Sequence, residues 1–187
     1  MSQRSKSAGW LRLLSVYVLV AALLIASRPA PCGLAAGSLI AFGGEALRLW
    51  AAGHLVKSSR LITAGPYAYT QHPLYLGRLL ILTGLGIAAR CPLYLNLLVL
   101  LGAYSIFFLY YMPRKRRVEG TRLATRHGSA FEVYRRAVPV LFPRRRRYPG
   151  AAGDAWSFAL VAKSGEPMVL LGVLLVFGVL AWKCAAR

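Results

Sequence analysis

The stretch LITAGPYAYTQHPLYLG, Leu61 to Gly77, decides how the rest of the chain is read. Turn-formers, aromatic residues and a histidine crowd together there between apolar runs. Gly65-Pro66 marks a turn. Pro73 suits the first position of a helix, where its missing N–H costs nothing, and the apolar run from Leu74 continues that helix. Thr70, Gln71 and His72 then lie at a helix N-terminus, beside unpaired backbone N–H groups and the positive end of the dipole. Such a place suits an anionic group. The same residues also read as a proline-started membrane helix with an interfacial aromatic belt.

Outward from this stretch, the chain is strongly apolar. Of its 187 residues 57% are hydrophobic and the mean hydropathy is +0.52. Soluble domains run at roughly 45–50% apolar even with glycine counted. Apolar runs of near membrane-spanning length recur at Trp10–Ala26, Leu34–Gly53, Leu74–Ala89, Leu93–Met112 and Pro167–Trp182. The expectation is an all-α integral membrane protein of about five transmembrane helices, folded as one unit. The first run follows Arg4 and Lys6 and also has the form of a signal peptide. A helical hairpin through the loop Ser27–Gly33 is the simpler account. A second hairpin turns at Arg90-Cys91-Pro92. Glu45 and Arg48, three apart on one helical face, read either as a mutually satisfied pair holding two helices together or as part of a polar pocket.

The charge is lopsided, with 24 Lys and Arg against 5 Asp and Glu. Residues 113–149 are the most basic part. Lys115 to Val138 reads as an amphipathic helix with Leu123, His127, Phe131, Tyr134 and Val138 on one face. Such a helix tends to lie on an anionic membrane surface. Arg144–Arg147 should attract anionic lipid head groups at about 1 kcal/mol each. Tyr148–Lys163 is rich in glycine and alanine and reads as a linker. The positive-inside rule places the N-terminus, the 53–73 loop and the 113–165 tail in the cytoplasm. They hold two, two and thirteen basic residues, 17 of the 24. This distribution accounts for the charge without nucleic acid. Cys32, Cys91 and Cys184 show no metal-ligand spacing, so no structural metal is expected. Cys32 and Cys91 would fall on the outer side, where an oxidising compartment permits pairing. Glu119 reads as an exposed ion pair with Lys115 or Arg122, and Glu132 likewise with Arg135 or Arg136. His127 reads as a packed residue and His54 as a helix-end cap. No Ser/His/Asp arrangement and no βαβ phosphate loop is present. The sequence is silent on oligomeric state.

Two separated pieces, RLWAAGHLVKSSRLITAGPYAYTQHPLYLG and RVEGTRLATRHGSAFEVYRRAVPVLFP, together resemble the isoprenylcysteine carboxyl methyltransferase and phospholipid methyltransferase superfamily. Gly65-Pro66-Tyr67, His72-Pro73, Tyr75 and Gly77 match the first part of that family's pattern. Glu119, Leu123, Gly128 and Tyr134 match the second, and the resemblance covers roughly residues 45–143. It implies S-adenosylmethionine as methyl donor, held on the cytoplasmic side by Gly65, Pro66, Tyr67, His72, Pro73, Tyr75 and Glu119. It also implies a lipophilic acceptor entering from the bilayer: a prenylcysteine carboxylate, a phospholipid amine or similar. The sequence departs from the family where an arginine is replaced by Gln71 and a second glutamate by Gly120. Residues 144–165, a basic and Gly/Ala-rich linker, and the apolar helix 166–183 lie outside the resemblance. An NADPH-dependent sterol-type reductase and a non-catalytic protein binding anionic lipid through its basic tail are the alternatives.

Overall fold

In a computed structural model, the structure describes residues 18, 20–55 and 61–187. The described residues are helical or irregular, with no strand among them. Residues 20–26 are helical, and the rest of the first apolar run, like Lys57 and Arg60, lies outside the described residues. The bundle is built from α1 (Pro31–Ala52), α2 (Pro73–Ala89), α3 (Leu93–Ser105), α4 (Met112–Ala137), α5 (Phe158–Ser164) and α6 (Glu166–Ala185). Among the described residues, three stretches are long and apolar enough to cross a membrane: Pro31–Ala52, Leu95–Arg114 and Glu166–Ala185. Pro73–Ala89 is apolar but shorter. The expectation of five spans is therefore met only as an all-helical membrane fold with these three among the described residues. Large side chains such as Leu39, Leu98, Leu109 and Leu175 point outward, as lipid-facing residues do.

Proline starts α1, α2 and α6, at Pro31, Pro73 and Pro167. Each supplies a fixed φ and forgoes an N–H that the first turn leaves unused. The hairpin between α2 and α3 turns through Arg90 in the left-handed region, at φ 45°. Between α3 and α4 the chain does not break. Ile106–Tyr111 widens into a π-helical turn and α4 follows directly. This turn rotates Phe107 inward while Ile106, Phe108, Leu109 and Tyr110 stay exposed. The expected single amphipathic helix over Lys115–Val138 is corrected: Gly128 interrupts it at φ 48°, ψ −126°, a conformation that glycine adopts without penalty. Beyond that break Phe131, Tyr134 and Val138 are buried, as their spacing predicts.

The main seam joins α1 to α2 through small residues. A Cβ on Gly44 would lie 2.7 Å from the Gly77 carbonyl oxygen, and one on Gly37 would clash with the Gly84 carbonyl. Ala41 and Ala88 are fully buried beside them. In a bilayer no hydrophobic force pulls helices together, so close backbone approach over small residues supplies the attraction. Helix α6 packs across this seam with Val173, Phe177 and Leu180 against Ala41, Ala88 and Ala89.

Both ends of the bundle are tied. At one end Lys183 donates from Nζ to the carbonyls of Leu24 (2.6 Å) and Ser27 (3.0 Å), and Arg28 N–H donates to Ala89 O (2.9 Å). At the other end the Tyr148–Lys163 stretch is docked rather than free. Ser157 N–H donates to Gly53 O (2.9 Å) and the Trp156 indole to Leu49 O (3.3 Å), and its last part is α5. The cysteines are unpaired: Cys91 is buried with Sγ 3.5 Å from Leu23 O, and Cys32 is exposed.

Gly84→Leu should force α1 and α2 apart. Overpacking a tight contact costs about 1–3 kcal/mol, so thermal unfolding in detergent should show a lower Tm, whereas Gly172→Leu, at a position with open space around it, should leave Tm unchanged.

Candidate functional site

The loop 61–72 and the chain from Phe131 to Tyr148 form one hydrogen-bonded unit at the end of the bundle where α1 finishes and α2 and α6 begin. Gly65 has φ 55° and opens a 3-10 turn, Gly65–Ala68, with Pro66 at its start. The following residues then run beside residues 139–148. Gln71 N–H donates to Pro139 O (2.9 Å), His72 N–H to Val140 O (3.1 Å), Arg144 N–H to Tyr69 O and Tyr148 N–H to Ala68 O (both 3.0 Å). The buried Thr70 hydroxyl donates to Leu141 O at 2.9 Å. The buried Tyr134 hydroxyl donates to Tyr67 O at 2.8 Å. Burial, followed by the neighbouring Tyr148, pushes the Tyr134 phenol well above its ordinary pKa, so it stays a donor.

Gln71 has a structural task. Its side-chain amide donates to Val138 O (2.6 Å) and Arg135 O (3.2 Å), closing the C-terminus of α4. Arg144 adds to the same closure through Ala137 O at 2.5 Å.

Of the residues singled out from sequence, Gly65, Pro66 and Tyr67 lie in the 3-10 turn, and His72, Pro73 and Tyr75 at the start of α2. Pro66, Tyr67, Pro73 and Tyr75 are buried. The Tyr75 ring is the centre of an aromatic cluster, 5.3 Å from His72, 5.5 Å from Tyr111 and 6.0 Å from Phe107, with Arg78 5.9 Å from its centroid. The cluster therefore joins the loop, α2 and the π turn, with the Arg78 guanidinium over the Tyr75 ring. Glu119 falls on the backbone of α4, and its side chain lies outside what the structure describes; the same holds for Leu123 and for Gly120. Glu132 forms the expected exposed pair with Arg135, at 3.1 Å. An open groove of about 360 Å³ runs between Leu61, Thr63, Ser129, Val133 and Tyr148, and none of the sequence-predicted site residues lines it.

Beneath the loop lies a buried charge cluster that sequence reading caught only in part. Arg48 donates from Nε (2.9 Å) and from one terminal nitrogen (2.6 Å) to the same oxygen of Glu166, and from the other to Leu74 O (3.1 Å). Glu45 lies 3.5 Å from Arg48 Nε, and neither of its oxygens accepts a hydrogen bond. So Arg48 does not primarily serve Glu45, its neighbour on the helix. It serves Glu166, 118 residues away. The only sequence signal for this was an acid beside Pro167 at the head of an apolar run.

His54, just past the end of α1, is 8% exposed and pressed on Gly65, where a Cβ would clash with its ring. Its Nδ1 has no partner. Among the described residues no three His, Cys, Asp or Glu side chains come together as a metal-binding group.

Two curated proteins share sequence with the chain. It is 33% identical over 105 residues, 55% of this chain and 45% of the relative, to the cobalt-zinc-cadmium resistance protein CzcN of Cupriavidus metallidurans. It is 32% identical over 99 residues, 52% of this chain and 43% of the relative, to the nickel-cobalt-cadmium resistance protein NccN of Alcaligenes xylosoxydans xylosoxydans. The chain thus spans less than half the length of either relative. No protein-family model and no solved structure matches it. The relatives are named for metal resistance. They overturn the expectation, drawn from motif resemblance, that the chain transfers a methyl group from S-adenosylmethionine to a lipophilic acceptor.

Burial holds His54 below its ordinary pKa of 6.5, and the opposing field of Asp154 is the smaller effect. The folded chain therefore resists a proton that the unfolded chain accepts, so this contribution to stability is full above pH 6.5 and is lost as pH falls below it. Unfolding in detergent should show a lower Tm at acid than at neutral pH, and His54→Gln should shrink that difference.

Proposed function

We propose that the chain is a membrane-embedded accessory of tolerance toward divalent transition-metal cations of the cobalt, zinc and cadmium kind. The observation that carries this reading is the shared sequence with two resistance proteins over about half of the chain.

The charge pattern favours an accessory over a conduit. Cation pathways lined by side chains use rings of Asp or Glu, and this chain has five acids against 24 basic residues. Glu45 and Glu166 both lie against Arg48, and Glu132 is bonded to Arg135. A divalent cation approaching the arginine-rich end meets repulsion. The excess of Lys and Arg in residues 113–165 supports placing that end in the cytoplasm. The site at the head of α2 would then act from the cytoplasmic side on a component of the tolerance machinery.

Deleting the gene from its host should lower the concentration of cobalt, zinc or cadmium salt that stops growth, and raise cell-associated metal measured by mass spectrometry. Restoring the full-length chain should reverse both. Unchanged tolerance to all three metals would overturn the proposal. A saturable calorimetric titration of the purified chain with any of the three would instead make it a direct metal carrier.

A further inference from the structure

The arginine run Arg144–Arg147 is held as a fixed turn rather than a loose tail. Backbone bonds pin it on both sides, from Arg144 N–H to Tyr69 O and from Tyr148 N–H to Ala68 O. Arg144 itself is directed inward, to Ala137 O. Arg145, Arg146 and Arg147 are exposed between the two pins, and Arg147 also touches Ala152 O at 3.2 Å. Ordering of the backbone that carries these guanidiniums is complete before any ligand arrives, which lowers the entropic cost of binding.

The turn also has a fixed place relative to the helices. Leu141, just before it, packs with Tyr75 and Leu79 of α2 and with Met112 at the start of α4. Phe142, next in the chain, is 71% exposed. Trp156 bonds the last turn of α1 through Leu49 O, and it and Phe158 are exposed at the same end, their rings 6.4 Å apart. Exposed aromatic rings level with the ends of spanning helices mark the boundary between head groups and acyl chains. Residues 113–165 hold thirteen basic residues and three acids, of which Glu132 is already bonded to Arg135.

We propose that the Arg145–Arg147 turn, with Phe142 beside it, binds the phosphate of an anionic glycerophospholipid in the membrane that holds the bundle. The planar guanidinium fork matches phosphate oxygens in pairs. The phenyl ring reaches the acyl region that adjoins the same head group. A nucleic acid would meet the arginines equally well but would leave Phe142, Trp156 and Phe158 in water, so the aromatic residues favour lipid.

The test is the thermal stability of the full-length chain in mixed micelles of detergent with phosphatidylglycerol or with phosphatidylcholine. The wild type should gain Tm with phosphatidylglycerol only, the gain should shrink as salt is raised, and Arg145→Gln/Arg146→Gln/Arg147→Gln should lose it while keeping the lipid-free Tm. If the triple variant does not fold, Arg146→Gln alone should retain fewer phosphatidylglycerol molecules than wild type in native mass spectrometry. An equal gain with phosphatidylcholine, an undiminished gain in the triple variant, or retention equal to wild type in the single variant would overturn the proposal. So would an equal gain from a short DNA duplex, which would make the partner a nucleic acid.

Discussion

The structure depends on an ion pair inside the bundle, Arg48 of α1 with Glu166 at the head of α6. Both side chains are buried, at 5% and 9% exposure. Taking either charge out of water alone costs several kcal/mol, and in a bilayer the ionisable groups that persist are paired or functional. Here the pair closes three elements at once, because Arg48 also donates to Leu74 O in the first turn of α2. The last apolar helix is thereby tied to the head of α2. Glu45 adds a second carboxylate beside the guanidinium without a hydrogen bond of its own, which leaves the cluster with more acid than base.

Above that clamp the chain is stitched by hydrogen bonds as well as packed. The loop 66–72 exchanges backbone and side-chain bonds with residues 134–148, and Trp156 and Ser157 bond the end of α1. Below it, the small-residue seam lets α1 and α2 approach closely enough for Arg48 to reach across, its side chain lying over Gly77. A larger residue at Gly77 would displace Arg48 and loosen the seam together. The small residues, the ion pair and the loop thus form one sequence of supports, each of which positions the next, and they end at the Tyr75 cluster and the arginine turn.

Much of this was legible in the sequence. Proline at a helix start and Gly-Pro at a turn are local signals, and Pro73, Pro167 and Gly65-Pro66 behave as those signals require. What the sequence hid were pairings over distance and changes of helix type. Nothing near Arg48 indicates Glu166. Gln71 looked like a lost arginine and is instead a cap for α4. The break at Gly128 and the π turn at Ile106–Tyr111 interrupt patterns that continue unbroken in the residue types. The Gly/Ala-rich stretch after Tyr148 has the composition of a linker, yet Trp156 and Ser157 fasten it. The functional reading failed for a different reason. Motif likeness joined the 65–75 stretch to Glu119 on the later basic helix, whose side chain lies outside the described residues, and shared sequence with resistance proteins does not carry the chemistry expected of that pair.

The coupling between Arg48 and Glu166 holds the last helix to the first two, and a double-mutant cycle measures it. With Glu45→Gln as the common background, so that no second carboxylate faces the guanidinium, thermal unfolding of Arg48→Met, Glu166→Met and the double variant in detergent should show each single change losing about 3–5 kcal/mol, since it strands a buried charge, with the double variant recovering much of that loss. Strictly additive losses would mean that the two helices are held together by packing alone, and the clamp would not exist.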